Sequence, residues 1–438
     1  MSRSRLARRR AGALLAGIAV AMPVSYAAAQ TPDRTVTLDE AVDLALANSP
    51  ALIQRMGAIA SAEWGERSAW GAFLPSLAMN SGATLASATR YDANTGVNVT
   101  GSSDSYSASL SASMPIFTAG RRGAQLRQAQ AETATAEAAV REQRFTTMLA
   151  AKSAFFEVLR AEELIRVRQA QIGRARKGLD AAQARLEAGS ATRSDSLRGR
   201  LEVNQAQQAL LQAQSQLRSA RYALGATIGI DGPAGVVPPT DLEPRPIAHT
   251  EDELIAIAIE SAPAVVTAGA NLKSNQAALR VSRTQYFPTI NSSAGYSWNN
   301  QDLAFGGGRT SWNTRLSFSY NLFNGFTREE ANQRAAVNLR SAEASLDDVR
   351  RRIRANVVTT ADAVRVAEQR MRLTQEALAV AEEDLRVQEE RYRLGASTIL
   401  EQIQSQIALA QAESDMINAR FDYLIAHAQL ESLVGRDL

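Results

Sequence analysis

The sequence predicts a mixed α and β membrane protein with an internal two-fold repeat, and three observations carry that prediction. First, the chain matches itself. Thr37, Asp39, Glu40, Ala45, Pro50 and Pro75 recur 213 positions later as Thr250, Asp252, Glu253, Ala258, Pro263 and Pro288. From Leu110, Ser111, Ser113 and Phe117 onward the offset becomes 206, matching Leu316, Ser317, Ser319 and Phe323 and later pairing Gly229 with Gly435. Such periodicity sets architecture before any local motif does. Second, the 69 residues from Phe326 to Leu394 contain neither Gly nor Pro. A helix of that length spans about 100 Å, more than one globular domain can bury. Third, Trp312, Thr314, Leu316, Phe318, Tyr320 and Leu322 alternate with Ser311, Asn313, Arg315, Ser317, Ser319 and Asn321. That is a strand with an apolar and a polar face, about as long as a tilted strand needs to cross a bilayer.

In chain order, the first thirty residues carry Arg3, Arg5, Arg8, Arg9 and Arg10 and no acid, then an apolar run from Ala11 to about Val24 and the small residues Ala27-Ala28-Ala29. This is the three-part pattern of a secretory signal, expected to be cleaved near Ala29 (residues 1–29); a retained anchor fits less well because the run is short. Removing those five arginines from 48 basic residues leaves 43 against 45 acidic ones. The basic excess belongs to the signal, so nucleic-acid binding loses its electrostatic support. No later apolar stretch of eighteen residues is expected, hence no transmembrane helix. The absence of cysteine excludes disulfides, thiol chemistry and a Cys-linked lipid anchor.

Repeat 1 (37–230) and repeat 2 (250–438) each read as a short amphipathic helix, a Pro-started helix, two strands, a long helix, a Gly turn and a returning helix. The strands fall within 75–117 and 288–323, the long helices at about 120–188 and 326–394, and the return helices at about 192–227 and 398–434. Gly173 and Gly178 make the first long helix the weaker of the two. The change of offset places seven residues of length difference between Pro75 and Leu110, where a loop is expected. Residues 231–249 hold Pro233, Pro238, Pro239, Pro244 and Pro246 and read as a Pro-rich linker. Four strands cannot close a barrel, and an open edge cannot sit in lipid, so several copies must contribute; spacing alone does not choose among two, three or four. A soluble sandwich with one wet face is the competing reading of the strands. Tyr296, Trp298 and Trp312 stand near the loop end, where an interfacial aromatic girdle belongs.

The chain resembles the TolC family of outer-membrane factors. The resemblance rests on Thr37-Leu38-Asp39-Glu40-Ala41, Phe73-Leu74-Pro75, Tyr286-Phe287-Pro288, Pro115-Ile116-Phe117-Thr118-Ala119-Gly120-Arg121, Asn321-Leu322-Phe323-Asn324-Gly325 and Arg391-Tyr392-Arg393-Leu394-Gly395, in order across the mature chain. It implies a homotrimer with a twelve-stranded β-barrel in outer-membrane lipid of a Gram-negative bacterium, continuing into a periplasmic α-helical barrel. It further implies a porin-like exit duct of an efflux pump or type I secretion system, served by a periplasmic adaptor (membrane fusion) protein and an inner-membrane efflux pump or ABC exporter. On this layout the turns Gly189-Ser190-Ala191 and Gly395-Ala396-Ser397 are periplasmic tips that meet the adaptor. Asp195 and Glu401 would form acidic rings there. A structural reading stands beside that one, since Thr192-x-x-Asp195 and Thr398-x-x-Glu401 both fit helix capping boxes. Tyr392 matches a gate tyrosine that bonds a neighbouring helix. Ser397 replaces an arginine of the best-known members and Gln404 an acid, leaving Arg391, Arg393 or Arg185 to supply the positive partner.

Catalysis finds no footing. His249 and His427 are the only histidines, Gly306-Gly307-Gly308 lacks the Lys-Ser/Thr of a phosphate loop, and no nucleophile elbow occurs. No cofactor or metal site is expected. The alternative to a duct is a non-channel periplasmic helical structural protein.

Overall fold

The computed structural model describes residues 34–94, 96–239, 247–303 and 306–436. The predicted signal, 1–29, lies outside the described residues, as do residues 240–246 of the linker. In order, the elements are β1 (Arg34–Val36), α1 (Leu38–Asn48), α2 (Pro50–Gly71), β2 (Ser76–Asp92), β3 (Val97–Phe117), α3 (Arg121–Glu187), α4 (Arg193–Ile228), β4 (Ala234–Val236), α5 (Glu251–Ser261), α6 (Pro263–Arg283), β5 (Thr289–Asn300), β6 (Arg309–Ser319), α7 (Thr327–Arg393) and α8 (Ile399–Val434).

The helix starts follow from local chemistry. Thr37 with Glu40 and Thr250 with Glu253 form reciprocal capping boxes at α1 and α5, satisfying orphan amides at both ends of the motif. Pro50 and Pro263 occupy first-turn positions of α2 and α6, where a missing N–H costs nothing. Helices α3 and α7 each run 67 residues, about 100 Å. The expected weak spot in α3 is continuous helix. A Cβ on Gly178 would lie 3.5 Å from the Gln406 amide of α8, and that amide donates to the Arg174 carbonyl, so the glycine makes room for a close helix approach.

Sheet order is β2-β3-β5-β6, antiparallel throughout. The seven-residue difference is taken up by strand and not by loop: β2 and β3 have 17 and 21 residues against 12 and 11 in β5 and β6. The first hairpin therefore projects beyond the second, its ladder continuing past the Tyr106–Asn300 pair to Asp92–Val97. The parallel pair β1–β4 was not expected. Three residues are too few for alternation to show, yet this pair ties the linker back to the start of repeat 1.

Side by side, α4 packs on α3, α3 on α8 and α8 on α7, while α2 and α6 also lean on α3. The core is concentrated where the short helices meet the long ones. Phe155, Phe156, Leu159, Leu224, Ile228 and Phe421 fill one cluster; Leu254, Val357, Val364, Tyr423 and Leu430 fill the other. Toward the tips it thins to Ile172, Ala175, Val203 and Ala206, then to Ala182, Tyr392 and Ile399. One described stretch, 251–286, is apolar enough by composition to cross a membrane, contrary to the expectation of none. It is two helices broken at Ala262–Pro263, with Leu254, Ala258 and Val265 in the second core cluster.

Candidate functional site: the helical tips and the strand face

Both tips share one geometry. At the end of α3 the Ser190 amide donates to the Arg185 carbonyl at 2.8 Å and Gly189 to Leu186 at 3.0 Å; at the end of α7, Ala396 donates to Arg391 at 2.7 Å and Gly395 to Tyr392 at 3.1 Å. These are Schellman closures, and Gly189 and Gly395 adopt the left-handed φ of 73° and 78° that the motif requires.

The two acids then part company. At Asp195 the capping box is complete: its amide donates to Thr192 Oγ1, and its carboxylate accepts from the Thr192 amide at 2.9 Å and hydroxyl at 2.7 Å. The Thr192 amide first, and its hydroxyl second, hold the Asp195 carboxyl below the usual carboxylate range. Glu401 donates its amide to Thr398 Oγ1 at 3.4 Å. Among the described residues its carboxylate makes no return bond, and it stays half-exposed beside the tip.

Tyr392 is 5% exposed and packs with Ala182 and Ile399. Its hydroxyl is buried without a hydrogen-bond partner among the described residues, and burial pushes the phenol pKa up against the charge of Arg185. The expected bond to a neighbouring helix is thus made differently. The Arg185 guanidinium of α3 lies 4.6 Å over the Tyr392 ring and donates to the Tyr392 backbone carbonyl. Of the three cations considered, Arg185 reaches the tyrosine. Arg391 bonds Gln388 and the Ala396 carbonyl within its own tip, and Arg393 pairs with Glu390. Ser397 folds back on the Gln388 carbonyl.

Farther up, α3 and α8 are joined by polar ties that no local pattern announces, because the partners lie more than 200 positions apart. Arg174 forms a two-pronged bond to Glu413 at 3.1 and 2.6 Å. Lys152 lies 2.7 Å from Glu431, which His427 flanks at 3.4 Å.

At the other end, the sheet register lines Met79, Leu110, Tyr296 and Trp312 across all four strands on one face. Leu316, Phe318 and Trp312 are 69%, 69% and 76% exposed, an apolar surface far more open than a soluble sheet tolerates. Trp298 stands one row nearer the loop, paired with Thr310. The opposite face is hydroxyl-rich, with Ser76 and Ser113 at 2.7 Å and Ser297 and Ser311 at 2.8 Å between their Oγ atoms.

An exposed apolar sheet face at one end of 67-residue helices suits a chain that meets both lipid and water, and comparison with known proteins gives its class. The chain belongs to the outer membrane efflux protein family, whose model matches residues 41–230 and 254–436. It is 32% identical over 410 residues to Protein CyaE of Bordetella pertussis, covering 91% of this chain and 82% of that protein. It is 29% identical over 182 residues to the cobalt-zinc-cadmium resistance protein CzcC of Cupriavidus metallidurans, covering 42% and 43% of the two chains. In fold it is similar to a membrane protein from Pseudomonas aeruginosa (TM-score 0.78, 21% identity, 91% and 93% of the two chains). The outer membrane protein VceC from Vibrio cholerae is similar as well (TM-score 0.75, 18% identity, 91% and 96%).

Proposed function

We propose that three copies assemble into an outer-membrane exit duct of a Gram-negative bacterium, serving a tripartite efflux pump or type I secretion system. Each copy contributes four strands to a twelve-stranded barrel and four long helices to a periplasmic tunnel. A periplasmic adaptor engages the tips, and an inner-membrane pump or ABC exporter supplies the energy; the chain conducts passively.

The observation that carries this reading is that both layers of the molecule end in matching open edges. In the sheet, β2 and β6 each have one partner. Among the long helices, α4 packs chiefly on α3 and α7 on α8, and both outer edges carry exposed apolar residues. On α7 and its C-cap they include Val366, Leu373, Val380, Val387 and Leu394, at strict seven-residue spacing; on α4 they include Leu197, Leu201 and Leu211. Seven-residue repeats seek a second helix, and unlike edges on one protomer close by rotation into a ring.

At the tip, Arg185 latches α3 to α7 through the ring and carbonyl of Tyr392, while the half-exposed Glu401 carboxylate supplies the acidic ring. Cargo is left to the pump. The test is membrane fractionation followed by planar-bilayer recording. The duct predicts protein that stays with the outer membrane until detergent extraction and then conducts. Release as soluble, non-conducting protein would favour a periplasmic structural role.

A further inference from the structure

Over the rows of the sheet where all four strands pair, the polar face carries two formal charges, and both are guanidinium groups. At the helix end, Ser76, Ser113, Ser293 and Arg315 lie in one row; toward the loops, Gly82, Ser107, Asn299 and Arg309 lie in another. The rows between hold Ala78, Ser111, Gly295 and Asn313, then Asn80, Ser109, Ser297 and Ser311. No carboxylate shares these rows; Asp104, opposite Leu85, lies on the apolar side and beyond them. Alternation fixes the direction. With Trp312, Leu316 and Phe318 turned to lipid, Arg309 and Arg315 turn to the bore. Six residues of strand separate the two, about 20 Å.

We infer that Arg315, seconded by Arg309, forms cationic rings that make the barrel favour anionic solutes over cationic ones of equal size, opposite in sign to the acidic tip and in series with it. This rests on the trimeric duct reading. Twelve strands about 4.8 Å apart and tilted about 40° give a wall radius of roughly 12 Å. The Debye length is about 10 Å at 0.1 M and about 3 Å at 1 M salt. Three guanidinium groups therefore cover the bore with their field at low salt and lose it at high salt. The neighbouring hydroxyl and amide side chains supply no counter-charge to cancel it. An anion entering from the tunnel meets the Arg315 row first, which raises its local concentration at the barrel mouth.

The absence of cysteine allows a direct test on the assembled channel. Arg315→Cys protein is reconstituted, and its reversal potential in a KCl gradient is read before and after labelling with thiosulfonate reagents. One reagent carries an ammonium group and the other a sulfonate. The same is done in Arg315→Cys/Glu401→Gln, which removes opposing charge from the tip. Restoring a positive group should raise the chloride-to-potassium permeability ratio by about twofold or more near 0.1 M salt, a negative group should lower it, and both effects should vanish at 1 M. Because charge changes after assembly, folding defects cannot imitate this. Equal permeability ratios with either label in both backgrounds would overturn the ring while leaving the duct intact. Failure of the unsubstituted protein to conduct would overturn the duct and the ring together.

Discussion

Glu431 shows how one side chain can hold two halves of the chain together. Burial raises its carboxyl pKa, but bonds from His427 and Lys152 and the charge of Lys152 more than offset this and bring it to about 2. The unfolded chain takes up this proton near the ordinary value of 4.5, the folded chain only near 2. The contribution to stability is thus fully present above the unfolded value and declines as pH falls through the folded one. Glu431→Gln should cost about 2–3 kcal/mol at neutral pH, with Lys152 left half-buried and unpaired, and less in acid. Thermal unfolding of both proteins between pH 7 and pH 3 reads this as converging curves. At the tips, Asp195→Ala removes the carboxylate half of the capping box while the residue-195 amide keeps its bond to Thr192 Oγ1, and should cost about 0.3–1 kcal/mol of stability. Glu401→Ala removes a carboxylate with no capping bond and should lower cation preference in bilayer recordings with little change in stability. Arg185→Ala should raise resting leak, whereas Tyr392→Phe should not, because the phenol hydroxyl has no hydrogen-bond partner among the described residues. Equal leak in both variants would contradict the latch. The Thr-x-x-acid spacing announced the box at Thr192 and Asp195, but it announced Thr398 and Glu401 equally, where only the amide bond to Thr398 Oγ1 forms. The choice of Arg185 over Arg391 and Arg393 was not legible, since it depends on which helix ends meet across 207 positions.

Among the elements, α7 carries two apolar stripes, one buried within the chain and one exposed. Val357, Val364, Leu385 and Tyr392 are buried in the chain, at multiples of seven residues, while Val366, Leu373, Val380, Val387 and Leu394 stay exposed. Leu373→Asp with Val380→Asp should leave the isolated chain folded and abolish its association, which analytical ultracentrifugation in detergent would report. In the strands, Leu316→Arg should cost about 2–4 kcal/mol in lipid if it faces the bilayer midplane, against almost nothing on a soluble sheet. Refolding into vesicles compared with detergent separates the two. Helix length, strand alternation and the prolines at helix starts all belong to local periods of 2.0 and 3.6, and a sequence displays those openly. Two features at this scale were hidden. The short β1–β4 pair is held by partners 200 positions apart. The extra seven residues lengthen β2 and β3 instead of a loop, which composition hid because a serine-rich strand and a serine-rich loop look alike.

For the molecule as a whole, the element order repeats on either side of the linker, and β3–β5 together with α3–α8 join the halves. The resulting protomer is a slab with unlike edges at both levels, β2 and α4 on one side, β6 and α7 on the other. The proposed ring would cover the apolar strand face and helix stripes that are exposed in the single chain. The sequence made the need for partner copies legible through strand count, but not their number, because closure depends on strand tilt and shear that no local pattern encodes.

The native mass of the detergent-extracted chain tests this most directly. Without the signal, the mature chain should be roughly 44 kDa, and the proposed duct should appear as a particle carrying about 130 kDa of protein, three copies with every edge closed. A monomer, or a dimer of eight strands, would contradict the ring and the duct built on it.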